Sequence, residues 1–166
     1  MEEKLAAPQV QKEPEKEKLM AISDTALSRV PTNETISLLI IIGGVPAVAL
    51  VDSGSSNTFI DHAFAVKLNL PMRATTARPV SVAGGGTLIT NVVISQCPFT
   101  IQKTKFTSDF KVLPSKGYDV VLGVSWLKQY NPTTFDWVAK TLSITKDSRA
   151  YFHRPPTAEE KSDHIC

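Results

Sequence analysis

The sequence predicts a mainly β, barrel-like domain with one or two short helices. Between positions 35 and 147 the apolar residues fall in short segments rich in β-branched residues, separated by glycine and proline, which is typical of strands. Only two stretches have helical spacing, and no long strand–helix–strand unit occurs. The length of 166 residues allows one domain with tails.

Composition marks the ends of this domain. All eight glycines lie between residues 35 and 147, and all eight glutamates lie outside that window. The first 34 residues are rich in Glu, Lys and Pro and poor in aromatic residues, a composition typical of disorder. We therefore expect a disordered polar linker over 1–34, a folded domain over 35–147 and a flexible tail over 148–166. The stretch "MAISDTALS" has helical character, but the sequence supplies no partner for it.

The first half of the domain predicts a hairpin followed by a helix. Two apolar runs, "ISLLIII" and "VPAVALV", flank Gly43 and Gly44, and a glycine pair between β-branched runs favours a hairpin. This apolar stretch is too short to span a membrane. Further on, Phe64 and Leu68 are four residues apart and Asp61 is a suitable N-cap, so a short helix should begin there.

The second half predicts more strands and one more helix. "RPVSVAGGGTLITNVVI" indicates strand, turn and strand with Gly84, Gly85 and Gly86 at the tip, and "CPFTIQKTKFTSDFKVLP" alternates apolar and polar residues. "YDVVLGVSWLKQYNP" predicts a buried strand, then Gly123, then a short helix that ends near Pro132. "TFDWVAKTLSITK" predicts a final hairpin.

Charge and cysteine usage exclude several functional classes. The net charge of +2 is too small to indicate a nucleic acid or an anionic membrane as a partner. Two distant cysteines and three scattered histidines form neither a disulfide framework nor a metal-ligand pattern. We expect no metal and no cofactor, and a reducing, cytoplasmic location.

A carboxylate at the end of an apolar strand is the feature that most needs an explanation. In "VALVDSGSSNTFID", Asp52 ends the strand and Ser53 and Gly54 follow it. A half-buried carboxylate is costly unless it is paired, hydrogen-bonded or useful. On its own, the Asp-Ser-Gly sequence also suits an ordinary turn.

Three features in chain order give a family resemblance. Asp52-Ser53-Gly54, the glycine-rich hairpin at 84–86 and "VVLG" at 120–123 resemble the retropepsin family of aspartic proteases. "DSGSSNTFID…LNLP", "VLGVSWL…YNP" and "FDW…KTLSI" are similar to the protease domain of gypsy-type LTR retrotransposon polyproteins. The resemblance implies a retropepsin-like closed barrel with one lobe per chain.

The resemblance also implies roles for the matching residues. Asp52 would be the catalytic carboxylate, and Ser53 and Gly54 would form its loop. Gly84, Gly85 and Gly86 would form the tip of a flap that closes on substrate. The supporting strand would contain Val120, Val121, Leu122 and Gly123. Each has a simpler alternative, since the glycines also suit a flexible hairpin loop and "VVLG" a buried strand.

The chemistry of this family needs two carboxylates that share one proton. The domain holds one Asp-Ser-Gly, and neither Asp119 nor Asp136 is followed by Ser/Thr-Gly. We therefore expect the second carboxylate from a second copy of the chain, related by a two-fold axis.

The sequence thus predicts a homodimeric aspartic endopeptidase that processes a retroelement polyprotein in the cytoplasm or inside virus-like particles. Its partners would be a second copy and a peptide or polyprotein substrate, with no nucleic acid and no membrane. The alternative is a catalytically silent retropepsin-fold module, retained from a retroelement for dimerisation or interaction.

Overall fold

The computed structural model describes residues 20–28, 35–146 and 148–153. The predicted linker up to residue 19 and the predicted tail beyond residue 153 lie outside the described residues. Within the described ranges, no helix is long and apolar enough to cross a membrane.

Strands form most of the described chain. In order they are β1 Met20–Ile22, β2 Ile36–Ile42, β3 Val45–Val51, β4 Phe59–Asp61, β5 Arg73–Val82, β6 Thr87–Ile101, β7 Thr104–Leu113, β8 Val120–Leu122, β9 Thr134–Asp136, β10 Thr141–Lys146 and β11 Ser148–His153. The helices are α1 Asp24–Ser28, α2 His62–Leu68 and α3 Val124–Leu127, and a 3₁₀ turn, Lys128–Tyr130, follows α3.

Six of these strands close into a barrel. Neighbouring strands pair in the order β6, β2, β3, β8, β4 and β7, and β7 pairs again with β6 to complete the circle. Strands β5 and β1 extend the sheet outward from β6, while β9, β10 and β11 form a separate three-stranded sheet. The predicted mainly β, closed-barrel fold is confirmed.

The predicted first hairpin is present with the glycine pair at its turn. β2 and β3 are antiparallel, with Ile36 opposite Val51 and Ile42 opposite Val45. Gly43 and Gly44 have φ of 60° and 77°, which side chains rarely adopt. Every second residue of β2 is buried in the barrel, so the apolar run fixes the register.

The predicted helix after the Asp-Ser-Gly loop is also present. Asp61 precedes α2 as its N-cap, and its carboxylate accepts a hydrogen bond from the backbone N–H of Phe64 at 3.3 Å. The other oxygen of Asp61 accepts from the N–H of Lys116 at 2.8 Å. One side chain therefore both begins the helix and ties it to the loop before β8.

The structure differs from the expectation for residues 20–28, which it places in contact with the domain. Met20, Ile22 and Ala26 are buried in a second apolar cluster that also contains Leu50 and Val80. No partner for "MAISDTALS" could be recognised from the sequence, because the partner residues lie far along the chain and only the fold brings them close. The boundaries of the predicted domain otherwise stay a prediction.

The larger apolar cluster, which contains Phe99 and Phe110, fills the barrel. We expect the packing of these side chains to stabilise the fold. Phe110 is fully buried, and its ring centroid lies 5.7 Å from that of Phe99. We expect Phe110→Ala to lower the free energy of unfolding by about 3–5 kcal/mol, because a cavity replaces a buried ring. Urea denaturation followed by circular dichroism measures the change. Val138→Ala is the control, since Val138 is 94% exposed; equal losses in the two variants would contradict the assignment of the core.

Candidate active site

Strand pairing fixes the position of Asp52. β3 and β8 run parallel, with Val51 opposite Leu122, and the backbone N–H of Asp52 donates to the carbonyl of Leu122 at 3.0 Å. The sheet therefore holds the backbone of Asp52, while its side chain lies just beyond the end of β3. This arrangement explains how an apolar strand can end on a carboxylate that is half-buried and not in the core.

The carboxylate of Asp52 is held by three donors. Its Oδ1 accepts from the backbone N–H of Gly54 at 2.9 Å. Its Oδ2 accepts from the hydroxyl of Ser55 at 2.8 Å and from the hydroxyl of Ser23. These bonds satisfy a half-buried anion and fix the orientation of the carboxylate plane. These hydrogen bonds offset the free-energy cost of leaving the carboxylate of Asp52 half-buried.

Gly54 lies close to the carboxylate of Asp52. A Cβ at position 54 would lie 3.1 Å from Oδ1 of Asp52, which is tighter than ordinary contact. Ser53 and Gly54 are exposed, so they face outward from this chain. The expected contact of Ser53 across a two-fold axis remains a prediction.

The predicted supporting strand lies directly behind this loop. Val120, Val121 and Leu122 form β8 and are buried. A Cβ on Gly123 would meet the carbonyl oxygens of Asn57 at 2.1 Å and Ser55 at 2.6 Å. Since backbone cannot move away as a flexible side chain can, only glycine fits here.

Helix α3 continues this support. The backbone N–H of Val124 donates to the carbonyl of Ser55 at 2.9 Å, and that of Ser125 donates to the carbonyl of Ser56 at 3.0 Å. Trp126 anchors the helix in the core, where it is fully buried. The loop after Asp52 is therefore held by consecutive N–H groups at the start of α3.

The three glycines of the predicted flap lie at the turn between β5 and β6. Gly84, Gly85 and Gly86 are all exposed, and Gly85 and Gly86 have φ of 116° and 92°. The carbonyl of Gly86 accepts from the N–H of Val82 at 3.1 Å, which closes the hairpin. A glycine-tipped hairpin is thus present, and its role as a flap stays a prediction.

Asp119 and Asp136, the two aspartates considered above as a second acid, accept hydrogen bonds from backbone N–H groups. Asp119 accepts from the N–H of Val48 at 3.3 Å. Asp136 accepts from the N–H groups of Val138 and Ala139 at 3.1 and 2.9 Å. Neither is among the hydrogen-bond partners of Asp52 in the described part of the chain. Across residues 20–28, 35–146 and 148–153, no three His, Cys, Asp or Glu residues are grouped to hold a metal ion.

The sequence analysis missed two residues that contact Asp52. Ser55 is fully buried and bonds Asp52 directly; the signal for it was the hydroxyl run immediately after Gly54. Ser23 lies 29 residues upstream of Asp52, and no local pattern could have connected the two.

A polar groove of about 610 Å³ opens between the loop after Asp52 and β5. Met20, Arg73 and Arg78 are among its lining residues.

A closed six-stranded barrel, an Asp-Ser-Gly loop at a strand end and a Gly-terminated strand behind it define an aspartic-protease-like domain. The model of the retroviral aspartyl protease family matches residues 18–150, and the chain belongs to this family. No curated protein matches the sequence.

A solved structure supports the fold. The retroviral protease-like domain of Ddi1 from Leishmania major is similar, with a TM-score of 0.58 and 19% sequence identity. The match covers 75% of this chain and 97% of that domain. At this identity the likeness concerns the fold alone.

The close approach at Gly123 gives a test of the site's architecture. We expect Gly123→Ala to lower the free energy of unfolding by about 3 kcal/mol or more, the upper end of overpacking costs, because its Cβ would overlap backbone oxygens. Gly44→Ala is the control: nothing lies within 4 Å of its Cβ, so only the positive φ opposes it, at about 1–2 kcal/mol. Urea unfolding compares the two, and a milder effect at position 123 would contradict the described contact.

Proposed function

We propose that the protein is an aspartic endopeptidase that acts as a homodimer, with Asp52 of each subunit as the catalytic carboxylate. The observation that carries this proposal is the arrangement at Asp52, a half-buried carboxylate held in one orientation at the end of β3. Membership of the retroviral aspartyl protease family supports the same reaction.

The dimer follows from the chemistry that the reaction needs. One carboxylate must polarise the peptide carbonyl while the other takes a proton from the attacking water. The described chain brings one Asp-Ser-Gly loop to the site, so the second carboxylate is supplied by a second copy. Two carboxylates about 3 Å apart share one proton, and a two-fold axis would place two Asp52 side chains in this way.

The hairpin of β5 and β6 would cover the bound peptide. Its exposed glycine tip suits movement over the site, and an extended peptide can add to a strand edge through backbone hydrogen bonds. The gypsy-type motifs favour a retroelement polyprotein as the substrate. The two distant cysteines of the sequence favour a reducing, cytoplasmic setting.

A catalytically silent interaction module is the second candidate. It is favoured by one observation, the hydroxyl of Ser23 that occupies Oδ2 of Asp52 within a single chain. A module of this kind would keep the fold and the dimer surface without turning over a substrate.

Replacing the catalytic carboxylate separates the two candidates. We expect the protein to cleave a library of unstructured peptides at mildly acidic pH and Asp52→Asn to reduce the rate at least 1,000-fold, since the shared-proton pair is lost. Mass spectrometry identifies the products. The matched control is Asp136→Asn, which removes the same charge from the exposed end of β9 and should cleave normally.

Protein concentration tests the shared site. Specific activity should rise with protein concentration, because the monomer lacks half of the site. Equal cleavage by the native chain and Asp52→Asn would contradict the mechanism, and no cleavage by either would move the interaction module to first place.

A further inference from the structure

Residues 20–28, the N-terminal segment, lie between the glycine-tipped hairpin and the Asp52 loop. Strand β1 pairs in parallel with β5, the first strand of the glycine-tipped hairpin, with Ala21 opposite Ser81 and Ile22 opposite Val82. Past the end of β5, the N–H of Ala83 donates to the carbonyl of Ile22 at 3.2 Å. One backbone edge of the segment is therefore bound by the hairpin.

The opposite edge of the segment is bound by the Asp52 loop. The N–H of Ser56 donates to the carbonyl of Ala21 at 2.9 Å, and the N–H of Ala21 donates to the hydroxyl of Ser56 at 2.9 Å. The N–H of Ser23 donates to the hydroxyl of Ser55 at 3.1 Å. An extended strand bonded on both edges, by a hairpin and by the catalytic loop, is the arrangement in which such a cleft would hold a peptide.

The end of this strand meets the carboxylate itself. The hydroxyl of Ser23 donates to Oδ2 of Asp52, an oxygen of the carboxylate that we propose as catalytic. The same hydroxyl accepts from the N–H of Ala26 at 3.2 Å and so caps α1. The extended backbone stops at Ser23 because α1 begins at Asp24. The segment thus reaches the carboxylate without crossing it in the extended form that cleavage requires.

Side chains of the segment fill an apolar pocket beside Asp52. Ile22 is fully buried, in a cluster with Leu50, Val80 and Val121. Leu50 precedes Asp52 by two residues and Val121 lies on the supporting strand, so the pocket belongs to the walls of the site. A pocket of this composition accepts an aliphatic side chain on the residue before the one at the carboxylate.

Two further contacts hold the far end of the segment. The N–H of Gly84 at the hairpin tip donates to the carboxylate of Asp24 at 3.0 Å, and the N–H of Tyr118 donates to the carbonyl of Ala26 at 3.0 Å. A Cβ on Gly84 would lie 2.7 Å from that carboxylate. The segment therefore fastens the hairpin tip to the rest of the domain.

We propose that the N-terminal segment is an autoinhibitory ligand of its own chain's peptide cleft, and that the cleft binds extended peptides with an aliphatic residue in the Ile22 pocket. The inhibition of cleavage by the segment rests on the proposed function, whereas the binding of the segment in the cleft does not. Six residues separate Ser28 from Thr35, so the tether gives the segment an effective concentration in about the millimolar range. A peptide added in trans at micromolar concentration therefore competes only weakly with the segment, and the native chain should cleave such peptides slowly but measurably.

Peptide binding tests the proposal without catalysis. The probe is a fluorescein-labelled peptide of residues 18–28, "KLMAISDTALS", titrated with the full chain and followed by fluorescence anisotropy. Ile22→Asp in the chain should expel its own segment, since a carboxylate is costly in that pocket. We expect this variant to bind the peptide at least tenfold more tightly than the native chain does.

Two controls define the site. Ser28→Asp adds the same charge to the same segment at an exposed position and should bind no better than the native chain. A peptide that itself carries Ile22→Asp should not bind any of the proteins. Equal binding by all three proteins, or tight binding by the native chain, would overturn the proposal.

A second variant guards against a folding defect. Ala21→Pro removes the N–H that donates to the Ser56 hydroxyl and should also open the cleft; the buried Trp126 reports by its fluorescence whether the barrel core is intact. Loss of the fold in both variants would overturn the proposal, because the segment would then be part of the core. Peptide binding without any gain in cleavage would leave the inhibitory ligand standing and count against the endopeptidase.

Discussion

The parallel pairing of β3 with β8 is the constraint on which the rest of the site depends. It fixes the backbone of Asp52 through Leu122, and it brings Gly123 against the loop that follows. Because a parallel pair cannot be joined by a tight turn, a long connection separates the two strands, and it contains β4 to β7. The position of the Asp52 loop and its support by Gly123 are thus consequences of one pairing.

Polar groups around the carboxylate come from distant parts of the chain and serve more than one purpose. Ser55 donates to Asp52 and accepts from the backbone of Ser23, while Ser56 bonds both backbone groups of Ala21. The hydroxyl of Ser55 therefore both holds the carboxylate and binds the N-terminal segment. In the proposed enzyme, the same loop would orient Asp52 and bind the backbone of a peptide.

Local pattern was sufficient wherever the determining contacts lie close in sequence. The glycine pair between two β-branched runs predicted the first hairpin, and Asp61 before Phe64 predicted the start of α2. Local pattern did not predict the structure of residues 20–28, because a three-residue strand and a five-residue helix have little stability alone. Their structure comes from Ile22 and Ala26 packing on residues that lie far along the chain.

The sequence by itself determined the class of fold, the family and the identity of the one carboxylate in an Asp-Ser-Gly loop. These follow from alternation, turn residues and ordered motifs, which are properties of neighbouring positions. Only the tertiary structure decided that Ser23 contacts that carboxylate, since Ser23 is 29 residues from Asp52. The pairing of β1 with β5 and the packing of Ile22 bring Ser23 close to Asp52 in space.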